Sequence, residues 1–304
     1  MSYGHVEKQL VLAEEQIAEL LAKAEDADST PLQDGLSVPE EIKRREDRIA
    51  KIKVAKTEME ERAQARYEEE KAAHKEKLEQ REAKEKSSDR KTRGKKPKAP
   101  EEGPRAKDQY NFTDPESRIM KSRGSFEQCF NAQAGVEVDT MLVVGQHVCN
   151  APNDKQQLEP TVASISPVIG RVSEVLADSG YYSEKAVTTV EEGENGPMVY
   201  TAMKRHGHGR SIEQLEKRED PAAPPLGAPV PEVMAHRLET KEGKDLYAKR
   251  KETVEPVFGI IKGALGFHRF QLRGLEKVNL EWTLMTTSYN LKRLFNLGMR
   301  LKGA

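Results

Sequence analysis

Hydrophobic positions near the start of the chain recur at helical spacing. From His5 to about Ala27 they fall at Val6, Leu10, Ala13, Ile17 and Leu20, separated by four, three, four and three residues. That repeat keeps apolar side chains on one seam and predicts a helix with a coiled-coil packing face. Two prolines and a glycine in ADSTPLQDGLSVPEE interrupt it. A second helix restarts near Pro39, carries Ile42, Ile49, Ile52 and Met59, and runs toward Lys86. Two helices across a turn-rich joint predict an antiparallel helical hairpin. Beyond Met59 the apolar stripe fades, which predicts an exposed charged helix or a partly disordered one.

After Tyr110 the pattern shortens. CFNAQAGVEVD and TMLVVGQHVC read as two antiparallel strands joined near Asp139 and Thr140. NDKQQLEPTVASISPVIG reads as a helix or interrupted helix with Asn153 or Asp154 capping its start. In EVLADSGYYSE the apolar run Val175–Leu176–Ala177 delivers Asp178 to a glycine turn. This predicts a buried strand with a carboxylate at its C-terminal end, where α/β sheets place their ligands. KAVTTVEEG follows as a helix and GPMVYTAM as a strand. Residues 209–240 contain DPAAPPLGAPVPE and predict a proline-rich exposed loop. From about Glu242 the chain is expected to be helical, and the class is α/β with a mixed sheet and a helical C-terminus.

Composition adds one contrast. The chain is 33% charged, where a soluble domain carries about 25%. Yet 50 basic residues face 51 acidic ones, so net charge predicts no partner. Position matters more: KSSDRKTRGKKPK, residues 86–98, holds seven Lys or Arg against one Asp. It reads as a flexible basic linker, either a solvated tether or a contact to phosphate backbone. No run of apolar residues is long enough for a membrane span, and no secretory signal is visible at the start. Cys129 and Cys149 lie in strand-like segments without metal spacing and read as buried free thiols. His206 and His208, two apart beside glycines, read as a solvated loop, with metal binding the alternative.

One helical stretch carries candidate chemistry. Taking Glu255 as reference, Lys251 lies one turn before it, Tyr247 two turns before and Lys262 two turns after. A carboxylate among cations on one face suits a divalent metal lying against nucleic-acid phosphates. The plain alternative is an amphipathic helix with charges on its wet face. Pro256 predicts a kink or a helix start beside Glu255. Trp282, at helical spacing with Leu280, Leu284 and Met285, reads as core, and Phe267 and Phe270 as packing residues.

Several separated segments carry a resemblance. NFTDPESRIMK, FNAQAGVEVD, NAPNDKQQLEP, VLADSGYYS, YAKRKETVEPVFGIIKGALGFHRFQLRGLEKVNLEWTL and YNLKRL together resemble the catalytic part of bacterial insertion-sequence transposases of the DDE type. The likeness is to the branch with a Tyr–Arg–Glu–Lys signature and covers roughly residues 108–297. It implies a ribonuclease-H-like core in which three acids hold two divalent ions, Mg2+ or Mn2+, for attack on a DNA phosphodiester. Asp178 matches the second acid and Glu255 the third. Tyr247, Arg250 and Lys262 match the signature. The family's arginine sits four residues before the glutamate, where this chain has Lys251, with Arg250 five before. Arg269 and Arg273 are expected to face DNA.

The implied organisation is a helical hairpin insertion over 1–87, a basic linker over 88–107 and the catalytic core over 108–304. Double-stranded DNA, both transposon ends and target, is the expected partner of a cytoplasmic, nucleoid-associated homodimer with no membrane contact. The family's first acid belongs to an Asp–Gly–Thr motif, which this sequence lacks; its one Asp–Gly, Asp34–Gly35, falls in the hairpin joint. The chain therefore reads as N-terminally truncated and inactive alone, unless Asp114 or Asp139 substitutes. Both of these read more simply as turn aspartates. Two alternatives stand beside this reading: a DNA-binding or dimerising remnant that regulates an intact transposase, and a coiled-coil scaffold without chemistry.

Overall fold

Every seventh residue of the first seam is buried: Val6, Ala13 and Leu20. They lie on α1 (Tyr3–Ala27), which pairs with the long α2 (Val38–Ser88). The computed structural model describes residues 1–27, 37–88, 94–122, 124–193, 196–203 and 220–298, so Asp34, His206 and His208 lie outside the described residues. Cross-helix contacts run in opposed order: Gln16 with Arg45, Gln9 with Arg48, Glu7 with Lys56 and Tyr3 with Glu60. The two helices are therefore antiparallel. Val6 packs with Ile52, Ala55, Met59 and Tyr110.

Past Ala63 the helix finds a different partner. Arg66 makes two 2.9 Å bonds to the Asp108 carboxylate, and Arg105 reaches Glu70 at 2.9 Å. Arg81 donates to the carbonyls of Gly94 and Lys95 at 3.0 Å. The described part of the basic segment thus runs back along α2. Met1–Pro115 form one compact unit and Glu116–Ala304 a second.

Among the described residues, the second unit is built on three strand pairs. β1 (Arg118–Ser122) and β2 (Ser125–Cys129) form an antiparallel hairpin that the apolar pattern did not signal, since β2 is mostly exposed. β3 (Asn131–Val136) and β4 (Val143–Cys149) are the expected antiparallel pair. β5 (Glu174–Ala177) and β6 (Met198–Thr201) pair in parallel across α4 (Glu184–Glu192), whose N-cap is the Ser183 hydroxyl. Asp178 follows the last residue of β5, as anticipated.

The helices depart from expectation in four places. α3 (Leu158–Ala163) starts after Gln157 without a side-chain cap, and Asp154 instead accepts from Asn131 and Gln133. Residues 230–239, expected to be loop, form α5 (Val230–Glu239), because Pro231 falls in the first turn, where a missing N–H costs nothing. α6 (Lys241–Gly263) passes through Pro256 as a single helix. The missing N–H of Pro256 leaves the carbonyl of Glu252 without the usual helical partner, and both residues are exposed. Helix then stops until α7 (Leu275–Asn296), with Gly266 and Gly274 at positive φ in the intervening stretch.

Trp282 on α7 is buried and stacked at 5.7 Å on Phe258, with Phe267 and Phe270 around it. Its indole N–H donates to the Gln133 carbonyl, which ties the helix to β3. α3 packs against the β3–β4 pair, and α6 against β3, β5 and β6. Gly145 permits the first contact: a Cβ there would stand 2.6 Å from Ile165 and 2.8 Å from Ser164.

The outer margins of the strand pairs are closed by side chains. On β4 the Asn290 amide takes both Val143 N–H (2.9 Å) and C=O (2.7 Å), and Asn279 takes Val148 N–H. On β6, Glu191 accepts from Val199 N–H, Arg237 donates to Val199 C=O, and Met234 sulfur accepts from Thr201 N–H. On these two strands, outward backbone groups of Val143, Val148, Val199 and Thr201 thus find side-chain partners.

Candidate active site

β5 ends against a turn that shapes the carboxylate it delivers. Asp178 Oδ1 accepts from the Ser179 hydroxyl at 3.0 Å and from Gly180 N–H at 3.4 Å. Its Oδ2 lies 3.7 Å from the Arg250 guanidinium. Burial works to raise the Asp178 pKa, but the Ser179 hydroxyl, the Arg250 charge and the turn N–H groups outweigh it. The carboxyl is left more acidic than usual. Asp178 therefore stays ionised in neutral solution, as a metal ligand or anionic anchor must.

α6 brings the other groups. Asp178, Arg250, Lys249 and Glu255 all line one cleft of about 740 Å3. Tyr247 does not share an exposed face with the lysines. Its hydroxyl donates to Ala177 C=O at 3.1 Å and accepts from Ala202 N–H at 3.3 Å, clamping the ends of β5 and β6. Burial raises its pKa. The Arg250 guanidinium lies 5.6 Å over the Tyr247 ring. Of the two candidate cations it is Arg250 that faces Asp178; Lys251 is exposed and does not line the cleft. Lys262, Arg269 and Arg273 are exposed.

A second carboxylate near Asp178 escaped the sequence reading. Asp154 Oδ1 accepts from Asn131 (2.7 Å) and Gln133 (2.8 Å), and its Oδ2 stands 3.5 Å from where a Cβ on Gly180 would be. Tyr181 donates to the buried Gln133 side chain, and burial pushes its pKa well up. This network fixes the turn after Asp178 to the start of β3. The signal was present as an acid in the strand-to-helix loop, but a capping role claimed it first.

Asp139 also lines the cleft, at its other end. Asn131 begins β3 at the Asp154 and Gly180 end, and five strand rises carry Val136 about 17 Å away. Asp114 belongs to the N-terminal unit and is buried there. Among the described residues no group of three or more His, Cys, Asp or Glu side chains is placed to hold a metal ion. Asp178 and Glu255 are hard oxygen donors of the kind Mg2+ and Mn2+ prefer, but they are too few to enclose an ion by themselves.

A transposase DDE domain family matches residues 87–291, more than half of the chain. The protein belongs to this family. No curated protein and no solved structure matches it. The DDE transposase domain carries the functions of DNA transposition and recombination, and its family generally uses divalent metal ions. Among the described residues of this DDE protein, no helix is long and apolar enough to cross a membrane.

Proposed function

We propose that this DDE protein acts in DNA transposition, with Asp178 and Glu255 as two of the acids of a ribonuclease-H-like catalytic core spanning residues 108–304. The observation that carries this reading is the single cleft lined by Asp178, Glu255 and Arg250. Asp178 and Glu255 would hold a divalent ion, which when bound activates water or a 3′-hydroxyl toward a phosphodiester. The chain's own residues have separate tasks. Arg250 balances the Asp178 charge and keeps donors directed at the cleft for a phosphate oxygen. Tyr247 acts through Arg250 and the strand ends. Lys251, Lys262, Arg269 and Arg273 are exposed cations suited to the DNA backbone. The basic segment over 88–107 supplies further cations suited to the same backbone. A scaffold without chemistry accounts for neither the cleft nor the family.

The test is Mn2+ binding by electron paramagnetic resonance on the full chain, alongside nicking of supercoiled plasmid. Asp178→Asn and Glu255→Gln should each weaken Mn2+ binding by about tenfold without unfolding the protein. Binding unchanged in both variants would overturn the assignment.

A further inference from the structure

α7 is apolar on two sides. Val278, Trp282, Thr286 and Tyr289 form its buried row. At about 100° per residue, Leu280, Leu284, Leu291 and Phe295 fall within about 60° of one another, on the side away from that row. All four are exposed, from 50% at Leu291 to 78% at Phe295. A helix packed on a core normally turns charged and polar residues outward, so a second apolar row calls for a partner.

The spacing of the outward row fits one partner in particular. Its steps are four, seven and four residues, so it reads the same from either end. A second α7 laid antiparallel, about a two-fold axis between Thr287 and Ser288, presents the same row in the same order. Leu284 then faces Leu291 of the second copy, and Leu280 faces its Phe295. A self-complementary contact of this kind closes on two chains. The Ser288 hydroxyl beside the axis already donates to Leu284 C=O at 2.8 Å, so its burial leaves no donor unpaired.

Charge agrees with the antiparallel direction. Glu281 and Lys292 lie on one flank of the row, about 100° and 120° round from Leu280. A two-fold axis across the helices keeps that flank on one side of both. Glu281 then comes within about 3 Å of the level of the second copy's Lys292, and the pair forms twice. A parallel pair would instead set this flank against the other one, where Thr283, Thr287 and Leu294 carry no charge. Glu281 is held in place by the N–H groups of Gln271 and Leu272, while Lys292 is exposed. Taking an open Leu or Phe side chain as about 200 Å2, the row leaves about 500 Å2 uncovered per copy. Two copies hide about 1,000 Å2 before the flanks are counted, which reaches the range of specific interfaces.

We propose that the outward face of α7 is a two-fold docking surface for a second copy of this chain, paired antiparallel with Leu284 on Leu291 and Glu281 beside Lys292. This stands independently of the transposition reading.

The experiment is sedimentation of the full 304-residue chain over a range of concentrations, with cross-linking to read the direction of pairing. A reversible dimer is expected. The double variant Leu284→Glu, Leu291→Glu should sediment as a monomer with unchanged circular dichroism, because both side chains point away from the core. Lys292→Glu should weaken the dimer about fivefold at low salt and less at high salt. Chains carrying Leu280→Cys should form a disulfide with chains carrying Phe295→Cys when the two are mixed and oxidised. Neither should cross-link alone beyond the unsubstituted chain, since each lies about 22 Å along the axis from its own counterpart. A chain that stays monomeric at submillimolar concentration would overturn the proposal. So would a dimer that survives the double variant, which pairs through another surface, or Leu280→Cys chains that cross-link to each other, which pair in parallel.

Discussion

The Arg250 guanidinium stands 3.7 Å from the Asp178 carboxylate while lying over the ring of Tyr247. Neither contact involves sequence neighbours of Asp178; α6 carries both residues to the end of β5. Because the folded pKa of Asp178 is depressed, its ionised form favours the folded state above the unfolded value, and that contribution fades as pH falls through the folded one. Arg250→Gln should move the Asp178 titration upward, toward the ordinary value of about 3.9. Carboxyl carbon NMR across an acid titration reads this directly. An unmoved titration would assign the shift to Ser179 and Gly180 alone.

Tyr247→Phe removes one hydroxyl that satisfies two backbone groups, Ala177 C=O and Ala202 N–H. A loss of about 1–3 kcal/mol in urea unfolding is expected, because those groups are left unpaired in a half-buried place. The Asp178 titration should move as well, since the ring under Arg250 is held less firmly. Unchanged stability would mean that water replaces the hydroxyl.

Gly145→Val should destabilise the second unit by about 1–3 kcal/mol through crowding against α3. The nearest obstacles, Ile165, Ser164 and the Thr161 carbonyl, include backbone that cannot rotate away. Thermal or urea unfolding measures it, and a neutral result would show that α3 shifts freely.

DNA affinity should fall steeply with salt, and each of Lys262→Ala, Arg269→Ala and Arg273→Ala should lower the salt slope by about one contact. Fluorescence anisotropy on a random duplex at several salt concentrations reads the slope. A slope unchanged in all three variants would move the DNA path elsewhere on the protein.

Much of this architecture was legible because its periods are clean. The heptad Val6, Ala13 and Leu20 could only be a helix seam, and an apolar run closing on Asp178 could only be a strand end. The β1–β2 hairpin was not legible, since Phe126 is exposed and neither strand alternates toward a core. α5 was hidden by prolines that read as loop until their first-turn position is known. At the site, spacing placed Tyr247, Lys251 and Glu255 on one face, yet packing turned Tyr247 inward and brought Arg250 to Asp178. Helical periodicity gives angles around one axis but not which angle a neighbouring strand will meet. Asp154 read as a helix cap for a related reason: its actual partners, Asn131 and Gln133, lie on β3 more than twenty residues earlier.

The amide of Asn290 occupies both backbone groups of Val143, and Glu191 with Arg237 does the same for Val199. Sheet growth from either rim would have to displace these side chains before a new ribbon could attach. An exposed edge normally invites indefinite stacking of further copies, the route to fibres. Here Asn290 on one rim and the Glu191–Arg237 pair on the other act as end stops against that stacking.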